Sequence, residues 1–113
     1  MPAPTVGQPL PRADEAYAAP EKWAEWILAD RGHGEEWARV FNVHPSDAER
    51  IWQAIASAVL DAPVSAVRHV ALGVTCEVCV ELTVNERTAP VRSAWHYVDT
   101  EEAPRLVTAF PTP

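Results

Sequence analysis

His96 and Arg92 lie four residues apart, and upstream of them Glu77 and Glu81 share the same spacing. On a β-strand such residues point to one face, so each pair is one-sided if its segment is extended. Imidazole gives and takes protons near neutral pH. Guanidinium grips a phosphate or carboxylate in two-point contact. With carboxylates and hydroxyls beside them, these groups are the parts for general acid–base chemistry. A solvated sheet face has much the same composition. Cross-strand ion pairs on such a face are often worth below about 1 kcal/mol.

The element that must position them is a hairpin. From Val74 to Val84 the even positions are apolar or cysteine, while the odd ones are Thr75, Glu77, Cys79, Glu81 and Thr83. That two-residue period predicts one dry and one wet face. Asn85-Glu86 fits a two-residue connection, with Asn85 tolerant of positive φ. Counting outwards from Val84 opposite Arg87 pairs Cys76 with Trp95 and Val74 with Tyr97 on the dry face. On the wet face Glu81 meets Pro90, Cys79 meets Arg92, Glu77 meets Ala94 and Thr75 meets His96. Pro90 lacks an amide proton and must take a non-bonded position. The wet face thus carries Thr75, Glu77, Glu81, Arg92 and His96. The last strand adds either Leu106, Thr108 and Phe110 or Arg105 and Val107. Thr108 is favoured, and the candidate catalytic set is His96, Arg92, Thr108 and Glu77.

The remaining elements follow from period and punctuation. Residues 1–19 hold four prolines and read as a Pro-rich flexible arm; residues 20–113 read as a single domain. Pro20 opens an expected helix to about Ala29, and a second runs from Glu35 to Phe41. A third starts at Ser46, with Glu49 completing a capping box, and runs to about Asp61. Strands are expected over Ala66–Leu72, Val74–Val84, Thr88–Val98 and Arg105–Phe110. The fold class is α+β: three N-terminal helices packed on one face of a four-stranded antiparallel meander.

Composition narrows the function. The chain of 113 residues carries a net charge of -7, which disfavours tight non-specific binding to nucleic acid but permits a local basic patch. No apolar run approaches the roughly 20 residues of a membrane helix. No basic and apolar leader is visible, so a cytoplasmic protein is expected. Cys76 and Cys79 form C-x-x-C, yet three residues along a strand their sulfurs diverge. There is no second C-x-x-C, H-E-x-x-H, phosphate-binding glycine loop or dinucleotide fingerprint, so neither metal nor cofactor is called for. Four of the five tryptophans, Trp23, Trp26, Trp37 and Trp52, fall in the helical half; they read as core, with a Trp-lined pocket as the alternative.

Three segments carry a resemblance: Glu35-Glu36-Trp37-Ala38-Arg39-Val40-Phe41, Pro90-Val91-Arg92-Ser93-Ala94-Trp95 and Pro104-Arg105-Leu106-Val107-Thr108-Ala109-Phe110-Pro111. Over about residues 20–111 the chain resembles an uncharacterised bacterial family of domains of unknown function (DUF6883). That family is similar in layout to the barnase–EndoU–colicin–RelE group of small ribonucleases and toxins. The resemblance implies a site on the sheet face away from the helices, with Arg92 and Thr108 matching the family's Arg and Thr. Trp37 stands where the family tends to have Lys. Three functions follow in order of preference. The first is a toxin-like, metal-independent ribonuclease acting on RNA. The second is a non-catalytic module binding a protein partner, of immunity, antitoxin or regulatory type. The third is a small ligand-binding or biosynthetic protein with a Trp-lined pocket.

Overall fold

The computed structural model describes residues 3–18, 34–98 and 102–112. Two α-helices, α1 (Gly34–Phe41) and α2 (Ala48–Ala58), precede strands β1 (Val64–Val70), β2 (Gly73–Val84), β3 (Arg87–Tyr97) and β4 (Arg105–Pro111). The strands form one antiparallel sheet in the order β1-β2-β3-β4, the expected meander. The described residues hold two helices, not three; the helix expected over Pro20–Ala29 lies outside them.

Alternation builds the core. Val74, Cys76, Val78, Val80, Leu82 and Val84 of β2 are buried, as are Val91, Trp95 and Tyr97 of β3. Trp37 and Phe41 of α1, and Ile51 and Ile55 of α2, are fully buried. Each such side chain contributes about 1.5–3 kcal/mol by leaving water. α1 packs on β3 and β4, and α2 packs on β2. The Trp37 indole N–H donates to the Ala109 carbonyl at 3.0 Å. Ser93 is a buried polar residue of β3; it donates to the Val78 carbonyl and accepts from the Trp95 indole. The core therefore satisfies its polar atoms at the points where helix meets sheet.

The start of α2 differs from expectation. Ser46 lies inside a 3₁₀ turn (Pro45–Asp47), and Asp47 rather than Glu49 reaches back, accepting the His44 N–H at 2.9 Å. Pro45 closes this tighter turn first, shifting the cap by two residues. That hydrogen bond, aided by Arg50, holds the Asp47 carboxyl below its ordinary range. The cap is thus formed at neutral pH and weakens as pH falls through the lowered value.

Residues 3–18, set apart in the sequence as an arm, lie along the domain. Val6 bridges Val64 of β1, Tyr17 bridges Arg105 of β4, and the Tyr97 hydroxyl donates to the Pro11 carbonyl. Leu10 and Ala13 join the core.

The hairpin turn also serves α1. Asn85 and Glu86 both have positive φ, and the Asn85 amide donates to the carbonyls of Phe41 and Asn42 at the helix end. Arg50 donates to the Asn85 side-chain oxygen Oδ1. Asn85→Gly keeps the φ but loses these bonds, so it should cost about 1–3 kcal/mol. Asn85→Ala adds backbone strain of about 1 kcal/mol. Urea midpoints should fall in the order wild type, Asn85→Gly, Asn85→Ala; equal midpoints for all three would remove this role.

Candidate functional site

The β2–β3 register is the one counted from the hairpin: Thr75 faces His96, Glu77 faces Ala94, Cys79 faces Arg92 and Glu81 faces Pro90. The neighbouring strands extend these pairs into rows on the face opposite the helices. Arg68 of β1, Thr75, His96 and Arg105 of β4 are successive partners across all four strands. The next row is Ala66, Glu77, Ala94 and Thr108. At about 4.8 Å between strands, the four-residue row spans roughly 14 Å.

A bulge on each edge strand shapes this region. The register of β1 shifts between Val64 and Ala66, and that of β4 opposite Ala94 and Trp95. On β4 the extra residue is Val107, so strict alternation fails there. The two alternation sets expected for β4 therefore do not exclude each other: Arg105 and Val107 of one and Thr108 of the other all reach the open face. Leu106 is buried, while both Arg105 and Thr108 pair with wet-face residues of β3.

Two hollows flank the row Arg68–Thr75–His96–Arg105. One, of about 480 Å³, has Ala66, Glu77 and Ala94 among its lining. The other, of about 490 Å³, has Val70, Leu72, His96 and Arg105 among its lining. Arg68, Thr75 and Val107 border both. The row is a ridge between them, with small alanine side chains leaving the Glu77 side open.

His96 is held at both ring nitrogens. Its Nε2 lies 3.1 Å from the Leu72 carbonyl, and its Nδ1 lies 3.4 Å from the Thr75 hydroxyl. A carbonyl only accepts, so neutral His96 carries its proton on Nε2 and Nδ1 faces the hydroxyl. When doubly protonated, the ring can donate at both ends.

Of the four sequence candidates, the fold brings His96 and Glu77 to diagonal positions on β3 and β2. Cα atoms so placed are about 7–8 Å apart, within reach of one substrate group. Thr108 stands across Ala94 from Glu77. Arg92 is on the same face but four residues from His96, about 13 Å along the strand, and borders neither hollow. Among the described residues it forms no ion pair with Glu77 or Glu81. Arg68 and Arg105 were missed. Counting back from the Gly73 turn sets Arg68 opposite Thr75; Arg105 belonged to the alternation set passed over for Thr108, and the bulge lets both reach the face.

The cysteines lie on opposite faces, Cys76 buried and Cys79 exposed, both free. Burial pushes the Cys76 thiol up to about 11. Thiolate is the reactive form, so at pH 8 Cys76 is protected by both burial and protonation. Iodoacetamide should add one label to the native protein and two in guanidinium; two labels in the native state would refute the facial assignment. None of the tryptophans in the described residues lines either hollow. No described cluster of three or more His, Cys, Asp or Glu residues is placed to hold a metal ion. No described helix is long and apolar enough to cross a membrane.

Fold and site together define a small α+β domain with a polar, hollowed sheet face opposite its helices. The chain belongs to the family described as "Domain of unknown function (DUF6883)", whose model matches residues 9–113. No curated protein and no solved structure matches it.

Proposed function

We propose that this domain cleaves RNA on its open sheet face by metal-independent acid–base chemistry, as a toxin-like ribonuclease. The observation that carries the reading is the in-register row Arg68–Thr75–His96–Arg105, with Glu77 one row away. One guanidinium stands beside the imidazole, a second beyond Thr75, and a carboxylate lies diagonally from the ring. The chain is acidic overall at -7, yet three of its nine basic residues, Arg68, Arg92 and Arg105, share this face. On this face they outnumber Glu77 and Glu81, so the balance of these groups is positive where the chain as a whole is negative.

Glu77 accepts the proton of the ribose 2′-hydroxyl, and the 2′-oxygen attacks the adjacent phosphorus. The P–O5′ bond breaks as protonated His96 gives a proton to the departing 5′-oxygen. The products are a 2′,3′-cyclic phosphate and a 5′-hydroxyl end. Arg68 and Arg105 balance charge developing on the phosphoryl oxygens. Thr75 orients the imidazole, Thr108 contacts the ribose side, and Arg92 holds a phosphate further along the strand.

Purified protein, incubated in EDTA with a mixed-sequence single-stranded RNA and the matching DNA, tests this. RNA should be cut to cyclic-phosphate ends and DNA left whole, since DNA lacks the nucleophile. Folded protein that leaves RNA intact would overturn the proposal.

A further inference from the structure

The two hollows differ in chemistry. Beyond the ridge, at the β1–β2 turn, the wall is aliphatic. Leu72 is 78% exposed and Val70 39% exposed, and both border the hollow that holds His96 and Arg105. Val70 and Leu72 give this hollow an aliphatic wall beside Arg68 and Arg105. A ligand that fits it presents an anion to the two guanidinia and an apolar surface to the wall. A nucleotide has that shape: a phosphate at one end and a planar base at the other.

The imidazole gives the direction. His96 Nε2 donates to the Leu72 carbonyl, so this nitrogen lies on the Leu72 side of the ridge, and acting as acid it exchanges that bond for one to the leaving oxygen. Glu77 borders the opposite hollow. A general acid must face the leaving group, and a general base the nucleophile. The leaving oxygen therefore belongs on the Leu72 side and the attacked ribose on the Glu77 side.

We infer that the Val70–Leu72 hollow seats the base of the nucleoside that leaves through its 5′-oxygen, making it a base-binding subsite on the 3′ side of the cut. This assignment rests on the ribonuclease reading of the ridge. The base covers the aliphatic wall, the phosphate lies on the ridge between Arg68 and Arg105, and the 5′-oxygen meets the imidazole proton.

Calorimetry with three small probes tests it: adenosine 5′-monophosphate, adenosine 3′-monophosphate and ribose 5-phosphate. The 5′-nucleotide should bind about tenfold tighter than ribose 5-phosphate, the gain expected from covering roughly 50 Å² of apolar surface. Leu72→Ser, at an exposed position whose carbonyl is retained, should remove that gain and leave ribose 5-phosphate binding unchanged. Arg105→Ala should weaken both. Equal binding of the 5′-nucleotide and ribose 5-phosphate, indifferent to Leu72→Ser, would overturn the subsite while leaving the anion ridge in place. A Leu72-dependent gain for the 3′-nucleotide instead would overturn the polarity. No binding of any probe, together with uncut RNA, would remove the ribonuclease reading as well.

Discussion

Glu77→Gln and His96→Ala should each slow RNA cleavage about 10²–10⁴-fold, the range a positioned acid or base supplies. Glu77→Gln keeps the shape of a half-buried side chain and removes only its basicity. Its melting temperature should stay near wild type. His96→Ala also gives up the contacts to Leu72 and Thr75, a stability loss of about 1 kcal/mol, too small to unfold the domain. In the proposed reaction the two groups act on one displacement, so their losses should not multiply. The double variant should fall little below the worse single one. Arg105→Ala should cost about 10²–10³-fold in kcat by removing charge from the transition state. Arg92→Ala, at a position bordering neither hollow, should raise KM with little change in kcat. Single-turnover rates on a short labelled RNA separate these outcomes. Glu77→Gln at the wild-type rate would remove the assigned base. Arg92→Ala losing as much kcat as Arg105→Ala would move the reaction centre along β3.

These expectations use residues that differ in how legible they were. The hairpin was readable because alternation over eleven residues and a two-residue turn leave one register, and every pair from Val84↔Arg87 to Val74↔Tyr97 follows it. Glu77 and His96 could be placed for that reason. The last strand was not readable in the same way. A bulge adds one residue at Val107, and no period-two count allows Arg105 and Thr108 to share a face. Arg68 was hidden by a different gap. Its strand is exposed at most positions, so burial leaves little pattern from which to infer a register. The cap of α2 misled because Ser46 and Glu49 satisfy the local rule, while Pro45 starts a 3₁₀ turn that hands the role to Asp47. The course of residues 3–18 rests on backbone bonds to strand edges, which composition does not encode.

Gly73→Ala should be far more damaging than Gly7→Ala, costing about 4 kcal/mol, from strain and overlap together. Gly73 opens β2 with φ +130, a conformation L-residues seldom adopt. An added Cβ would also lie within 1.9 Å of the Tyr97 carbonyl oxygen and 3.0 Å of the Val98 oxygen. Both obstacles are backbone, of Tyr97 at the end of β3 and of Val98 just past it, so no side chain can swing aside. Relief requires the ends of β2 and β3 to part, beside the buried Val74↔Tyr97 pair. Gly7 is the control: its φ is +90 but nothing lies within 4 Å, so Gly7→Ala costs only strain of about 1 kcal/mol. For a domain of this size the melting temperature should drop roughly 15 °C for Gly73→Ala and about 4 °C for Gly7→Ala. The loss has a functional side. The residue before Gly73 is Leu72, whose carbonyl orients the His96 proton. In the proposed reaction, displacing the turn misaims the acid even in molecules that remain folded. Gly73→Ala should therefore lose cleavage rate at 10 °C, far below its melting point, while Gly7→Ala should not. Equal melting temperatures for the two variants would mean that the β1–β2 turn can shift without cost, and the close approach to Tyr97 would cease to explain the glycine.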